Sequence, residues 1–271
     1  MRLLVISCDI LSRPVYLFAA RSPHVVNVVQ LSAALHAEPL TLRERIQLQI
    51  DAAGPAVDAI ALAYGLCGGA TAGLTARDVP VVLPRAHDCV TIFLGDREHY
   101  RAEHEATPGT YWYIQDQIDR GNDLKGWLLG DAARAEDVRA SRAEFVERFG
   151  ADNADYLMKT LGEWSDRYER GAFIDTGLAP DRAAEEHARE EAERRGWRFE
   201  RMLADLSLVQ RLLYGQWDDD FQVLKPGEHL EMSYDDGIVR AASSESLPAL
   251  NASRNSTPKA SAPVSKFAAR R

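Results

Sequence analysis

Three cysteines and one histidine have the side-chain types from which this chain could build a metal site. The cysteines are Cys8, Cys67 and Cys89. His87 stands two residues before the last of them, and residues two apart in extended backbone point to the same side. Thiolates and imidazole nitrogens are ligands of tetrahedral zinc, and thiolates also bind iron. We therefore predict a zinc or iron site formed by these four side chains.

The alternative is that the cysteines are small apolar side chains buried without function. The sequence has no C-x-x-C pair, which is the usual local sign of a zinc site. The prediction therefore depends on whether the fold brings the three thiols together.

A glycine-rich turn surrounds the middle cysteine in the segment Tyr64-Gly65-Leu66-Cys67-Gly68-Gly69. Backbone amides in such a turn, followed by a helix, attract anions and would lower the pKa of Cys67. We predict that Gly65, Gly68 and Gly69 bind an anionic group, while a turn of purely structural importance is the alternative. The spacing is not G-x-G-x-x-G, and no acidic residue follows where a ribose would need it, so no dinucleotide cofactor is expected.

The segment Pro84-Arg85-Ala86-His87-Asp88-Cys89 combines charged and nucleophilic side chains. Arg85 could bind an acidic small-molecule substrate, and His87 could act as a metal ligand or a general base. Asp88 is interpreted as the N-cap of the following helix. Together with Cys67, Arg85 and His87 are the candidate catalytic residues, although cysteine–histidine catalysis has no obvious third member here.

The first 115 residues alternate strand and helix patterns, which predicts a Rossmann-like parallel sheet with helices on both faces. In the common strand orders of such sheets, the first strand neighbours the third and the third neighbours the fourth. The three cysteines follow those three strands, so they would meet at the carboxyl edge, where ligands bind. The predicted strands are 3–7, 25–29, 57–63, 79–83 and 111–114, and the predicted helices are 12–20, 41–53 and 88–94.

The second half, residues 116–240, is predicted to be helix-rich with some α/β character, and the Ser-, Ala- and Pro-rich residues 241–271 are predicted to be a disordered tail. We therefore divide the chain at residues 115 and 240. The predicted elements of the second half are helical segments at 131–170, 181–195 and 206–214 and strands at 197–203, 221–224 and 229–233.

Composition excludes several classes of function. The chain has 32 Lys and Arg against 41 Asp and Glu, a net charge of −9, which argues against binding nucleic acid or an anionic membrane. No segment approaches the roughly 18 apolar residues of a membrane span. Three cysteines do not make a disulfide scaffold and are typical of a reducing compartment, so we expect a cytoplasmic protein.

The two blocks around the cysteines, YGLCG at residues 64–68 and PRAHDC at residues 84–89, resemble an uncharacterised bacterial and archaeal family, domain-of-unknown-function family 1638. The likeness extends over most of residues 1–235, including the PGTY segment at residues 108–111. The resemblance implies a setting beside corrinoid-dependent methyltransferase systems, and hence methyl or one-carbon transfer. The chain lacks the D-x-H-x-x-G cobalamin-binding motif, so it is not expected to hold a corrinoid itself.

Three functions remain open at this point. The first is a metal-dependent enzyme, for example a transferase, acting on a small acidic substrate. The second is a non-catalytic carrier of a metal or cofactor that serves a corrinoid methyltransferase partner. The third is a metal-free enzyme that uses a Cys67 thiolate. A cavity beside the cysteines, lined by Arg85 and Tyr64, would favour an enzyme over a carrier.

Overall fold

The computed structural model describes residues 1–54, 56–121, 146–147, 150–154 and 167–243. The helical segment predicted for residues 131–170 falls largely outside the described residues, and so does the predicted tail from residue 244 onward.

The strands form a mixed, mainly parallel sheet, a second sheet that is parallel throughout, and a hairpin. One sheet has the order β2-β1-β3-β4-β8, in which only β8 is antiparallel, and the other has the order β5-β6-β7. The order β2-β1-β3-β4 confirms the sequence prediction, as does the mixed α/β class with helices against the sheet. The strands are β1 (Arg2–Cys8), β2 (Val25–Leu31), β3 (Ala59–Ala63), β4 (Val81–Pro84), β5 (Thr110–Ile114), β6 (Arg170–Asp175), β7 (Arg198–Leu203), β8 (Phe221–Leu224), β9 (Glu228–Met232) and β10 (Val239–Ser243).

Local sequence explains the helices of the first half. Leu42, Ile46 and Ile50 recur at helical spacing and are fully buried against the sheet. Their helix begins at Pro39 instead of the predicted Thr41, since proline is favoured in a first helical turn. The helices are α1 (Ser12–Arg21), α2 (Pro39–Asp51), α3 (Cys89–Phe93), α4 (Arg97–Ala106), α5 (Gln115–Asp119), α6 (Ala183–Arg194) and α7 (Ser207–Leu213).

The central strand of the second sheet, β6, begins at Arg170, the last residue of the helical segment predicted for residues 131–170. Its first residue, Arg170, is 4% exposed and donates hydrogen bonds to Glu103 at 2.8 Å and Glu200 at 3.3 Å. A buried charge of this kind is tolerated only when it is paired, and both partners are distant in sequence. The local pattern therefore could not identify this strand.

The hairpin β9–β10 corrects the predicted start of the tail. Residues 241–243 belong to β10, where Ala241 pairs with Leu230 and Ser243 with Glu228. In the part of the chain that the structure describes, no helix is long and apolar enough to span a bilayer.

Candidate functional site

The strand order places the three cysteines at one edge of the first sheet. Cys8 ends β1, Cys67 follows β3 and Cys89 begins α3 just after β4. Because β1 pairs with β3 and β3 with β4, the carboxyl ends of these strands are neighbours. None of the three is in a disulfide.

The pKa values of the thiols reflect this proximity. Burial raises the pKa of Cys8 to about 12. Burial, followed by the charges of Cys8 and Asp88, raises the pKa of Cys67 well above its ordinary value. Cys89 behaves in the same way, since burial and then the charges of Asp88, Cys8 and Cys67 raise its pKa. The thiols therefore lie within electrostatic reach: Cys8 opposes the ionisation of Cys67, and Cys8 and Cys67 oppose that of Cys89.

The two loops that carry Cys67 and Cys89 are joined backbone to backbone. The amide of Leu66 donates to the carbonyl of Ala86 at 2.8 Å, and the amide of Cys67 donates to the carbonyl of His87 at 2.8 Å. These bonds extend the pairing of β3 with β4 beyond the strands themselves. The YGLCG and PRAHDC blocks thus form two adjacent loops that are hydrogen-bonded to each other.

Gly65 makes this approach possible. A Cβ atom at this position would lie 2.7 Å from the amide nitrogen of Asp88 and 2.8 Å from the carbonyl oxygen of Ala86. These are backbone atoms, so no side-chain rotation relieves the overlap. Gly65, predicted to bind an anion, has a demonstrable packing role between the two loops.

The prediction that the glycine turn lowers the pKa of Cys67 is wrong. The amide of Gly69 donates to the carbonyl of Leu66 at 3.0 Å, so it is used inside the turn. Burial and neighbouring negative charge dominate instead and raise the pKa of Cys67. Cys67 also has a positive φ of 49°, followed by Gly68 at 65°, and a left-handed conformation is uncommon for a residue with a side chain.

Arg85 contacts the hairpin β9–β10 and β8, and His87 lies at the surface. The guanidinium of Arg85 donates to the carbonyls of Gly237, at 2.9 Å, and Val239, and to the side chain of Gln222 at 2.8 Å. It thereby anchors the hairpin β9–β10 and β8 to the end of β4. His87 is exposed, and its ring lies 6.0 Å from that of Tyr100.

The predicted four-ligand set is therefore not assembled. As the side chains stand, the described residues contain no group of three or more His, Cys, Asp or Glu that could hold a metal ion. Asp88 is confirmed as the N-cap of α3, because its carboxylate accepts the amide of Thr91 at 3.1 Å.

Tyr64 adds an unsatisfied polar atom to the thiol edge, the edge of the first sheet that carries Cys8, Cys67 and Cys89. It is 1% exposed, and its buried hydroxyl has no hydrogen-bond partner. Burial and the charges of Cys8, Cys67 and Asp9 raise its pKa, which places the hydroxyl among these groups. The ring of His36 stacks on Tyr64 at 6.2 Å. Buried hydroxyls are almost always bonded, so this atom marks a place for a polar partner.

The carboxyl end of the second sheet meets that of the first, which the sequence did not reveal. Asp116 follows β5 directly and accepts a hydrogen bond from Arg13 at 2.6 Å, while the Arg120 guanidinium donates to the carbonyl of Asp9 at 3.1 Å. Asp116 is 4% exposed and its second oxygen has no partner. Burial outweighs the attraction of Arg13 and raises the pKa of Asp116 to about 6.

We expect protein stability to increase as the pH falls from 7.5 to 5.5. A raised pKa in the folded state means that Asp116 contributes stability when protonated and loses it as the pH rises through about 6. The gain in the free energy of unfolding should be about 1 kcal/mol, measured by urea denaturation at each pH. Asp116→Asn should remove this gain, whereas Asp51→Asn, at an exposed position, should leave it intact. An unchanged slope in Asp116→Asn would contradict the assignment.

Two cavities lie near these strand ends. One, of about 360 Å³, is at the end of the second sheet, where Arg201 pairs with both Asp175 and Glu185. The other, of about 190 Å³, lies between α4 and the turn of the hairpin β9–β10, beside the Cys89 loop. It is lined by His87, Arg97, Glu98, Tyr100, Arg101, His104, Asp235, Asp236 and Ile238. Neither Arg85 nor Tyr64 lines it.

Comparison with known proteins identifies a family without assigning an activity. The family model described as "Protein of unknown function (DUF1638)" matches residues 30–213. The match begins in β2 and ends with α7, so it includes both the Cys67 and Cys89 loops and the second sheet. No curated protein and no solved structure gives a significant match. On the extent of the family match, the chain belongs to the DUF1638 family.

Proposed function

We propose that this protein binds a thiophilic metal ion, zinc or iron, through Cys8, Cys67 and Cys89 and acts as an enzyme on a small acidic substrate. The observation that carries the proposal is the presence of three thiols at the ends of three neighbouring strands, close enough that the charge of Cys8 raises the pKa of Cys67 and the charges of Cys8 and Cys67 raise that of Cys89. Such thiols are protonated at neutral pH, because their thiolates would repel neighbouring negative charge. A bound cation would stabilise the thiolates, since it attracts each of them.

The side chains nearby support the same proposal. Asp9 and Asp88 add negative charge around the thiols, which favours a cation over an anion. The unpartnered hydroxyl of Tyr64 could contact a water or substrate atom bound at the metal. When bound, the metal would supply a Lewis acid or activate a bound thiol or water.

The proposal requires the thiols to turn toward one another. Each cysteine side chain has a single rotatable bond, so the proposal calls for changes of χ1 together with shifts of the loops that carry Cys67 and Cys89. Three thiolates would leave a fourth position open for His87 or for substrate, as in catalytic zinc sites. A metal-free Cys67 thiolate is less well supported, since its raised pKa favours the unreactive thiol.

The carrier hypothesis uses the same ligands but needs no adjoining cavity. The cavity beside His87 and Tyr100 adjoins the Cys89 loop, but neither Arg85 nor Tyr64 lines it, so it does not by itself favour an enzyme over a carrier. One-carbon chemistry and a corrinoid methyltransferase partner, implied by the resemblance, remain predictions, and so does a cytoplasmic location.

Elemental analysis of protein purified without a metal-affinity tag tests the proposal. We expect close to one zinc or iron per chain, and less than about half an equivalent in Cys67→Ser and Cys89→Ser. His87 and His104 provide a matched pair, since both rings lie beside Tyr100 at 6.0 and 6.2 Å. His104→Asn should retain the metal, and a loss in His87→Asn alone would identify the fourth ligand. Metal content that is low in the wild type, or unchanged in the cysteine variants, would refute the proposal.

A further inference from the structure

We propose that Arg97 binds the carboxylate of a small organic acid in the cavity between α4 and the hairpin β9–β10. This cavity has a volume of about 190 Å³. Arg97 is partly buried, and its Nη1 atom is buried without a hydrogen-bond partner. No carboxylate of the described residues lies within ion-pair distance of Arg97, so the part of its side chain that lines the cavity is available to an anionic ligand.

The other charged groups of the cavity already have partners. Arg101 pairs with Glu98 and lies 3.9 Å from Asp236. Asp235 accepts a hydrogen bond from the amide of Gly237 at 2.8 Å. Among the residues that line the cavity in the described part of the chain, Arg97 is thus the cation whose charge no neighbour compensates within ion-pair distance.

The surrounding charges select the class of anion. Asp235, Asp236 and Glu98 also line the cavity and would repel a doubly charged phosphate. A carboxylate carries a single charge, which matches the one unpaired guanidinium, and its two oxygens fit the planar fork of arginine. The geometry therefore favours a carboxylic acid over a phosphate ester.

Aromatic and apolar surfaces indicate what the rest of the ligand looks like. The ring planes of Tyr100 and His104 are nearly parallel, with an interplanar angle of 4° and ring centroids 6.2 Å apart. The ring centroid of His87 lies 6.0 Å from that of Tyr100. Ile238 closes the cavity with an apolar side chain. A volume below the roughly 300 Å³ of typical ligand pockets allows only a small flat or short apolar group.

The cavity is next to the thiol edge. His87 lines it two residues before Cys89, and burial together with the charges of Asp88 and Cys89 raises the pKa of Tyr100 to about 12. An acid held by Arg97 would therefore lie beside the loop that carries Cys89. Its role as the substrate of the metal site rests on the proposed function, whereas its binding to Arg97 does not.

Titration of the metal-free full-length protein with benzoate and acetate, followed by calorimetry at constant ionic strength, tests the site. We expect saturable binding of benzoate that is tighter than that of acetate. Arg97→Gln should weaken it at least about tenfold, and Arg97→Lys less, because lysine keeps the charge but not the fork. Arg77→Gln is the control, since Arg77 is exposed, pairs with Asp51 and does not line the cavity, and it should change the affinity by less than about twofold.

The outcomes separate this inference from the metal proposal. Absence of saturable binding in the wild type, an equal loss in Arg77→Gln, or stronger competition by inorganic phosphate than by acetate would overturn the carboxylate site. Benzoate binding that persists in Cys67→Ser supports it, since Arg97 is not a metal ligand. A protein that binds benzoate but no metal would refute the proposed function alone, and the reverse result would refute this inference alone.

Discussion

Replacement of Gly65 by alanine is expected to lower the free energy of unfolding by about 3 kcal/mol or more. The added Cβ would lie 2.7 Å from the amide nitrogen of Asp88 and 2.8 Å from the carbonyl of Ala86. Both are backbone atoms in a loop that is itself hydrogen-bonded to the Gly65 loop, so the overlap can be relieved only by separating the two loops. Urea denaturation with circular dichroism measures the loss.

The same substitution should also disturb the thiol edge. The pairs Leu66–Ala86 and Cys67–His87, both at 2.8 Å, hold the two cysteine loops together, and a Cβ at Gly65 pushes against the partner loop. We therefore expect metal content to fall even in the fraction of Gly65→Ala that remains folded.

Two other glycines provide controls of different kinds. Gly68 has a φ of 65° but no atom within 4 Å of a Cβ, so Gly68→Ala should cost only about 1 kcal/mol through its left-handed backbone. At Gly54 a Cβ also meets open space, and Gly54→Ala should be nearly neutral. If Gly65→Ala were no more damaging than Gly68→Ala, the close approach of the two loops would be incorrect.

The sequence predicts those parts of the fold that depend on local pattern and on general rules of topology. The continuous apolar run of β1 and the spacing of Leu42, Ile46 and Ile50 determine their elements locally. Right-handed crossovers then restrict the strand order, which is why the three cysteines could be assigned to one edge before the structure was known.

The remaining features depend on contacts between distant segments. Nothing in the sequence around Arg85 indicates that its guanidinium donates to the carbonyls of Gly237 and Val239. Arg97 likewise differs from other surface arginines only through the neighbours that it lacks. Asp116 is recognised as a perturbed carboxyl only when Arg13 and the end of the first sheet are placed beside it. Such roles are tertiary, and residue spacing does not encode them.

Binding of zinc at neutral pH is expected to release about three protons per ion. Burial raises the pKa of Cys8 to about 12, and burial together with neighbouring negative charges raises the pKa values of Cys67 and Cys89. All three thiols are therefore protonated before the metal binds, and each must lose its proton to become a ligand. The affinity should then rise up to about 1000-fold per pH unit between pH 6 and 8. Calorimetry in buffers of different ionisation enthalpy measures the number of protons released.

A ligand variant and the alkaline limb of the stability curve test the same argument from two directions. Cys67→Ser should reduce the release to about two protons, and a release near zero in the wild type would exclude the thiols as ligands.

Without metal, the raised pKa values make the folded state stable below the ordinary thiol pKa and less stable as the pH rises above it. The loss should approach about 1.4 kcal/mol per thiol per pH unit above pH 9. Bound zinc should abolish this loss, because the ligands are then already thiolates in the folded state. Above the ordinary thiol pKa the folded and unfolded chains then bind the same number of protons at these positions, and the free energy of unfolding no longer falls with pH.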